Sequence, residues 1–93
     1  MDNKTEEQLS DIMKYETDKE EREKAIESYD WGNATEEQLS DIISFAFDKE
    51  ARIKAMEVFP WDKATKEDLI ELREFAIDKE IKEKIKEGLK HGN

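Results

Sequence analysis

Few side chains in this sequence could carry out catalysis, and their spacing does not indicate an active site. His91 is the only histidine, and one histidine cannot make a metal site alone. Adjacent acids such as Glu6 and Glu7 could act as a general acid and base only in a pocket that separates their pKa values. Their place at a predicted helix start already accounts for them, because acids are favourable there. No serine stands at a recognisable spacing from a base, and no calcium or phosphate loop is present. We therefore predict a protein that is not an enzyme and has no catalytic residues, metal site or cofactor.

The composition is strongly acidic, and the excess of acids is confined to the first two thirds of the chain. The 93 residues include 26 acids and 16 bases, a net charge of −10. The net charge is −6 over residues 1–32, −4 over residues 33–62 and zero over residues 63–93. Such a field repels nucleic acids and anionic membranes and attracts basic partners, although charged faces also keep small domains soluble. The chain has no cysteine, and no stretch resembles a secretory signal or a membrane span, so we expect a cytoplasmic protein.

A repeat of 30 residues organises the chain. The segment Thr5–Ile12 (TEEQLSDI) recurs unchanged as Thr35–Ile42, and Leu9, Leu39 and Leu69 follow the same spacing. A fixed period of this length indicates a repeat architecture, and the abundance of Glu, Lys, Ile, Leu and Ala favours helices over strands. We therefore predict one all-α domain over residues 1–93, with repeats at residues 3–32, 33–62 and 63–92. Each repeat should form a helical hairpin, and the three hairpins should stack as an α-solenoid of six helices, since a lone hairpin can bury only one face.

The start of each helix is marked by a residue that can cap it. A threonine precedes each first helix and is followed three residues later by Gln or Asp, which is the spacing of a capping box. An aspartate precedes each second helix. The predicted caps are Thr5, Thr35, Thr65, Asp18, Asp48 and Asp78. Apolar stripes on the helices should form the core, and we include Phe45 and Phe75 in them. Arg73, which replaces Met13 and Ile43 at the equivalent position, should face solvent.

Four apolar residues lie outside the core stripes, and two of them are candidate contact residues. Trp31 and Trp61 occupy equivalent turns between repeats, and we interpret them as wedges between hairpins because the position recurs with the architecture. A binding hot spot is the alternative, since Trp is enriched in such spots. Phe47 and Ile53 could contact a partner or a second copy of the chain, because the counterparts of Ile53 in the other repeats are glutamates. We expect a monomer and leave a dimer open.

The second helices share a pattern. It consists of Asp, Arg four residues later, small apolar residues at seven and eight, and a large apolar residue at eleven. It reads Asp18, Arg22, Ala25, Ile26, Tyr29 in the first repeat and Asp48, Arg52, Ala55, Met56, Phe59 in the second. It weakens in the third repeat, where Lys82 follows Asp78. This pattern resembles the HEAT-repeat family, in the short form found in phycobilin-lyase-type proteins. The Asn-x-Thr turn followed by Leu is also similar to leucine-rich-variant repeats. Either resemblance implies a right-handed α-solenoid. The HEAT resemblance further implies that Arg22 and Arg52 pair with an aspartate of a neighbouring repeat.

Three functions fit these features. The first is a protein-binding module that offers a row of acids on its first helices to a basic protein or peptide, with no direct binding of nucleic acid or membranes. The row consists of Glu6, Glu7, Asp11, Glu36, Glu37 and Asp41. The second is an acidic inhibitor whose surface imitates nucleic acid, as small phage-type anti-defence proteins do. The third is a structural or engineered scaffold without a ligand, which would fit the unchanged copy of TEEQLSDI. We favour the first.

Overall fold

The computed structural model describes residues 4–91, which form six α-helices joined by short loops and contain no strand. The helices are α1 (Glu6–Tyr15), α2 (Lys19–Ser28), α3 (Glu36–Phe45), α4 (Lys49–Val58), α5 (Lys66–Phe75) and α6 (Lys79–His91), and a 3-10 turn covers Trp31–Asn33. The all-α prediction is thus confirmed for these residues. Residues 1–3, 92 and 93, which the predicted domain and repeat boundaries include, lie outside the described residues.

Consecutive helices pack against each other in pairs. Helix α1 contacts α2, α3 contacts α4, and α5 contacts α6. The first helices of the pairs also meet, because α3 contacts both α1 and α5. The described chain measures 45 × 23 × 16 Å along its principal axes. Helix α3 is therefore the central element, with neighbours on both sides.

The apolar stripes of the helices meet in one continuous core. Leu39, Ile42 and Ile43 of α3 expose at most 1% of their surface, and full burial of each such side chain stabilises the fold by about 1.5–3 kcal/mol. Helix α6 contributes Ile81 and Ile85, both fully buried. Arg73 is exposed, as expected. The heavily charged composition is therefore compatible with an ordered core, because the few apolar residues are concentrated on the facing sides of the helices.

The first helices begin with the predicted capping boxes. Thr5, Thr35 and Thr65 each accept a hydrogen bond from the backbone N–H three residues later, and the side chain at that position accepts from the N–H of the threonine. These reciprocal bonds satisfy N–H groups that the helix itself leaves unpaired. The three first helices therefore start at equivalent positions in each repeat.

The second helices are capped less uniformly than the sequence predicts. Asp18 accepts from the backbone N–H of Glu20 at 3.0 Å, which is the expected cap. Asp48 precedes α4 but makes no capping hydrogen bond with its side chain. Its Oδ2 instead accepts from Arg22 Nε at 2.9 Å. The prediction that the Asp48 side chain caps α4 is therefore wrong, because a buried guanidinium in the preceding repeat takes this carboxylate.

Arg22 joins the first repeat to the second. Besides its bond to Asp48, its Nη1 donates to the carbonyl oxygens of Glu16 and Thr17 at 2.8 and 3.0 Å. These carbonyls follow the end of α1, where a helix leaves acceptors without partners. Arg22 exposes 5% of its surface. One buried side chain therefore satisfies the end of α1 and holds the residue before α4.

Arg52 makes the equivalent contacts one repeat later. Its Nη1 donates to the carbonyl oxygens of Ala46 and Phe47 at 2.8 and 2.9 Å. Its Nε and Nη2 donate to the two carboxylate oxygens of Asp78, at 2.7 and 3.2 Å. Arg52 and Asp78 are both buried. The pairing that the resemblance implies for Arg22 and Arg52 is thus present, and we call these two Arg–Asp pairs the ladder.

Trp31 and Trp61 make matching contacts at the ends of α2 and α4. The indole N–H of Trp31 donates to the Ile26 carbonyl at 3.0 Å, and that of Trp61 to the Met56 carbonyl at 2.9 Å. Each indole also packs against the aromatic ring two residues earlier, with 4.7 Å between ring centroids. Both tryptophans are half-buried against the core. These contacts favour the packing interpretation over that of a free binding hot spot.

Candidate functional site

A shallow groove of about 680 Å³ runs across α1, α3 and α5. We call it the acidic groove, because six of its lining residues are acids and one is a base. It is lined by Glu6, Glu7, Ser10, Asp11, Lys14, Glu37, Gln38, Ser40, Asp41, Ser44, Phe45, Glu71 and Phe75. Residues that are 30 apart in sequence recur along it, such as Asp11, Asp41 and Glu71.

Most of the predicted acidic row lies in this groove. Five of its six members line it, namely Glu6, Glu7, Asp11, Glu37 and Asp41. The structure adds Glu71, which the sequence reasoning did not include. Glu71 occupies the position in the third repeat that Asp11 and Asp41 occupy in the first two. The 30-residue spacing would have identified it, although the surrounding sequence of the third repeat differs.

Glu36 is the one member of the predicted row that does not line the groove. A hydrogen bond with the Asp68 carboxyl and, to a smaller degree, burial and the charge of Asp68 raise the pKa of Glu36 above its ordinary value. The same hydrogen bond, together with those from Thr65, lowers the pKa of Asp68. The pKa values of these two neighbouring carboxyl groups are thus shifted in opposite directions. Glu36 interacts with the start of α5 rather than with the groove.

Lys14 is the single base in the groove, and it is held by two of the acids. Its Nζ forms an ion pair with Asp41 of the next repeat and lies 3.6 Å from Asp11 Oδ1 of its own helix. The side chain of Lys14 is only 11% exposed. Burial favours its neutral form, but the hydrogen bond and charge of Asp41 raise the pKa of Lys14, with smaller contributions from Tyr15 and Asp11. The ammonium also lies 5.4 Å from the centroid of the Tyr15 ring, within the range of a cation–π contact.

Two phenylalanines form the apolar part of the groove. Phe45 and Phe75 are 48% and 47% exposed, and their ring centroids are 5.1 Å apart with a tilt of 54°. The expectation that both belong to the core is therefore wrong. Each is the last residue of its helix, and the apolar stripe has reached the surface there. Tyr15 occupies the equivalent position at the end of α1 and is 74% exposed.

The other predicted contact residues lie outside the groove. Phe47 is 65% exposed, but its ring lies against the Arg22 guanidinium, 4.2 Å from ring centroid to Cζ. Ile53 is half-buried and packs against the core, whereas its counterparts Glu23 and Glu83 are exposed. Helix α4 contacts the 3-10 turn at Trp31–Asn33, a neighbour that helical periodicity alone does not reveal. Ile53 thus offers less free surface than its exposed counterparts suggest.

One buried hydroxyl lies near the groove acids. Tyr29 is 4% exposed, and its hydroxyl has no hydrogen-bond partner in the described part of the chain. Burial raises the pKa of Tyr29, and the charges of Glu6 and Asp41 raise it further. The equivalent residue one repeat later is Phe59, which is buried in the same way and has no hydroxyl. The fold therefore accommodates this ring without requiring its polar atom.

Within residues 4–91, no group of three or more His, Cys, Asp or Glu residues is arranged to hold a metal ion. No helix in that range combines the length and the apolar character needed to cross a membrane. Compared with protein-family models, with curated proteins and with solved structures, the chain matches none significantly. The function must therefore be argued from the groove itself.

Proposed function

We propose that this chain is a non-enzymatic protein-binding module, and that its acidic groove binds a basic segment of another protein. The observation that supports this most directly is the combination of six acids with an exposed phenylalanine pair on one surface. The acids supply the attraction for a cationic partner and its orientation. The pair Phe45 and Phe75 supplies apolar area against which methylene chains or guanidinium planes can pack.

We propose further that the fold is a short α-solenoid of HEAT-like repeats. The contacts between first helices of successive repeats support this, and so does the ladder, which links each second helix to the next. In a solenoid, residues at one repeat position line up along one face. The recurrence of Asp11, Asp41 and Glu71 in the groove fits that arrangement.

A surface that served only solubility would not need these aromatic rings. Charged side chains alone keep a small domain in solution, and exposed phenylalanine works against it. Phe45 and Phe75 recur at one repeat position and contact each other, so they are not isolated exposed residues. Aromatic side chains surrounded by charges are typical of protein interfaces. We therefore favour a binding surface over a solvated face.

The test uses a defined basic peptide and locates where it binds. The probe is the peptide (Lys-Gly-Ser)3, and (Gln-Gly-Ser)3 is its uncharged counterpart. Each is titrated into the 15N-labelled chain, and amide shifts are followed at about 0.01 M and about 0.5 M salt, where the screening length falls from roughly 30 Å to below 10 Å. We expect shifts in α1, α3 and α5 with the lysine peptide at low salt, and much weaker binding at high salt.

A matched pair of variants distinguishes binding at the groove acids from attraction to the overall negative charge of the chain. The groove variant is Glu7→Gln with Glu37→Gln and Glu71→Gln. The control is Glu23→Gln with Glu50→Gln and Glu83→Gln, three exposed acids outside the groove that change the net charge equally. Since each exposed ion pair contributes about 0.2–1 kcal/mol, the groove variant should bind about tenfold more weakly. The control should lose only a small factor. Equal losses would point to diffuse attraction, as expected of a surface that imitates nucleic acid, and would contradict a groove site.

A further inference from the structure

The groove already holds one lysine of the chain itself, and the surroundings of that lysine indicate which kind of ligand the groove fits. The Lys14 ammonium lies between Asp11 and Asp41, which belong to successive repeats, and beside the Tyr15 ring. Two carboxylates and one aromatic face thus surround a cation. The side chain is 89% covered in this position, whereas free surface lysines extend into water.

One repeat further along the groove, the same arrangement recurs without the lysine. We call the position of Lys14 the first step and this equivalent position the second step. Thirty residues on, Asp41 and Glu71 take the places of Asp11 and Asp41, and Phe45 takes the place of Tyr15. The residue at the position of Lys14 is Ser44, whose side chain is short and uncharged. Phe75 adds a second ring, 5.1 Å from that of Phe45. All of these residues line the same groove.

We propose that a lysine or arginine side chain of a partner protein binds at this second step, between Asp41, Glu71 and the Phe45–Phe75 pair. This position is equivalent to the one that Lys14 of the chain itself fills one repeat earlier. This inference rests on the proposed function and specifies it, because it names the point in the groove that recognises the basic segment. A cation placed there meets carboxylates on two helices and an aromatic face, the same three groups that surround Lys14.

The two steps also set a spacing for the partner. Neighbouring packed helices lie about 8–10 Å apart, so the two cation positions should be separated by about that distance. A segment in the polyproline II conformation advances about 3.1 Å per residue with three residues per turn, so cations three residues apart lie on the same side and span about 9 Å. Replacing Lys14 by serine should open the first step as well. A peptide with a lysine at every third position should then fill both steps.

The experiment places a lysine in the second step, or removes the lysine from the first step, and measures peptide binding. Ser44→Lys gives the second step a lysine of its own, and Ser28→Lys makes the same change on an exposed residue of α2, outside the groove. We expect Ser44→Lys to bind (Lys-Gly-Ser)3 about tenfold more weakly than the unchanged chain, and Ser28→Lys to differ from it by less than about twofold. Lys14→Ser should bind the same peptide more tightly, and (Arg-Gly-Ser)3 should follow the same order among the variants.

The outcomes distinguish this inference from the function on which it rests. If Ser44→Lys and Ser28→Lys weaken binding equally while the groove shifts persist, the groove binds basic segments but not at this step, and the inference is overturned. If the unchanged chain binds no basic peptide, both proposals fail. Should Ser44→Lys not fold, Phe75→Ala against Val58→Ala gives the same test, because both side chains are about half exposed and only Phe75 lies at the second step. Equal binding by those two variants would also overturn the inference.

Discussion

The ladder predicts that two chemically identical substitutions will have very different effects. Asp18 and Asp78 hold the same repeat position, directly before a second helix. Asp78 is 7% exposed and accepts two hydrogen bonds from the buried Arg52. Asp18 is exposed, and within residues 4–91 its side chain accepts from the backbone N–H of Glu20 alone. We expect Asp78→Asn to destabilise the fold strongly and Asp18→Asn to have almost no effect.

The magnitude follows from the charge that each substitution leaves behind. Removing one partner of a buried ion pair costs about 3–5 kcal/mol, because the other charge stays buried without compensation. The amide of Asn still offers one acceptor oxygen to Arg52, so we take the lower end, about 3 kcal/mol. For Asp18→Asn the expected loss is below about 0.5 kcal/mol, since Asn caps helices as well as Asp does. A domain of this size has a free energy of unfolding of about 5–14 kcal/mol, and 3 kcal/mol should lower its Tm by about 12–24 °C.

The assay is urea unfolding, followed by circular dichroism at the helical band and by tryptophan fluorescence. Both variants should keep the m-value of the unchanged chain, so that the shift in midpoint reports stability alone. A third protein, Arg52→Met with Asp78→Asn, removes both charges and should recover part of the loss, as expected for a coupled pair. If Asp78→Asn loses no more stability than Asp18→Asn, the buried Arg52–Asp78 pair contributes no more to stability than an exposed helix cap.

Three further predictions concern single groups. Tyr29→Phe should leave the free energy of unfolding unchanged or raise it by up to about 1 kcal/mol, because it removes a buried hydroxyl without a partner in the described residues; a clear loss in urea unfolding would contradict this. Glu36→Gln should stabilise the fold by about 0.3 kcal/mol at neutral pH. Because the pKa of Glu36 is raised in the fold, Glu36 contributes its full stabilisation below its ordinary pKa of 4.5, and this stabilisation is lost as pH rises through the raised pKa. The stability advantage of Glu36→Gln should therefore vanish when unfolding is measured below about pH 4. The lowered pKa of Asp68 acts in the opposite sense, and we expect the glutamine amide N–H to donate to Asp68 in place of the Glu36 carboxyl. Trp61→Phe should cost about 1 kcal/mol in thermal unfolding through the lost bond to the Met56 carbonyl, and a neutral result would show that this bond contributes nothing.

The features that could be predicted from the sequence are those decided within a few residues. The threonine caps are such features, because the donor and acceptor lie three positions apart whatever the rest of the chain does. The use of Asp48 could not be decided in this way, since one carboxylate can cap α4 or pair with Arg22, and only the packing of repeats decides which. The exposure of Phe45 cannot be predicted for a similar reason: periodicity gives the face of a helix but not how far along that helix a neighbouring helix extends. The acidic row was found because it lies in two almost identical segments, and Glu71 was missed because its segment differs.

The ladder and the groove meet at the end of α3, where Phe45 lines the groove and Arg52 binds the backbone that follows it. Arg52 binds the carbonyls of Ala46 and Phe47, the two residues that follow Phe45. The backbone that directly follows Phe45 is therefore held by a side chain that does not line the groove. A variant such as Asp78→Asn, even when folded, should loosen this anchor and weaken peptide binding without removing any contact to the peptide. Loss of binding in a ladder variant thus reports positioning, and only variants at groove residues, compared at equal stability, can identify the atoms that touch the partner.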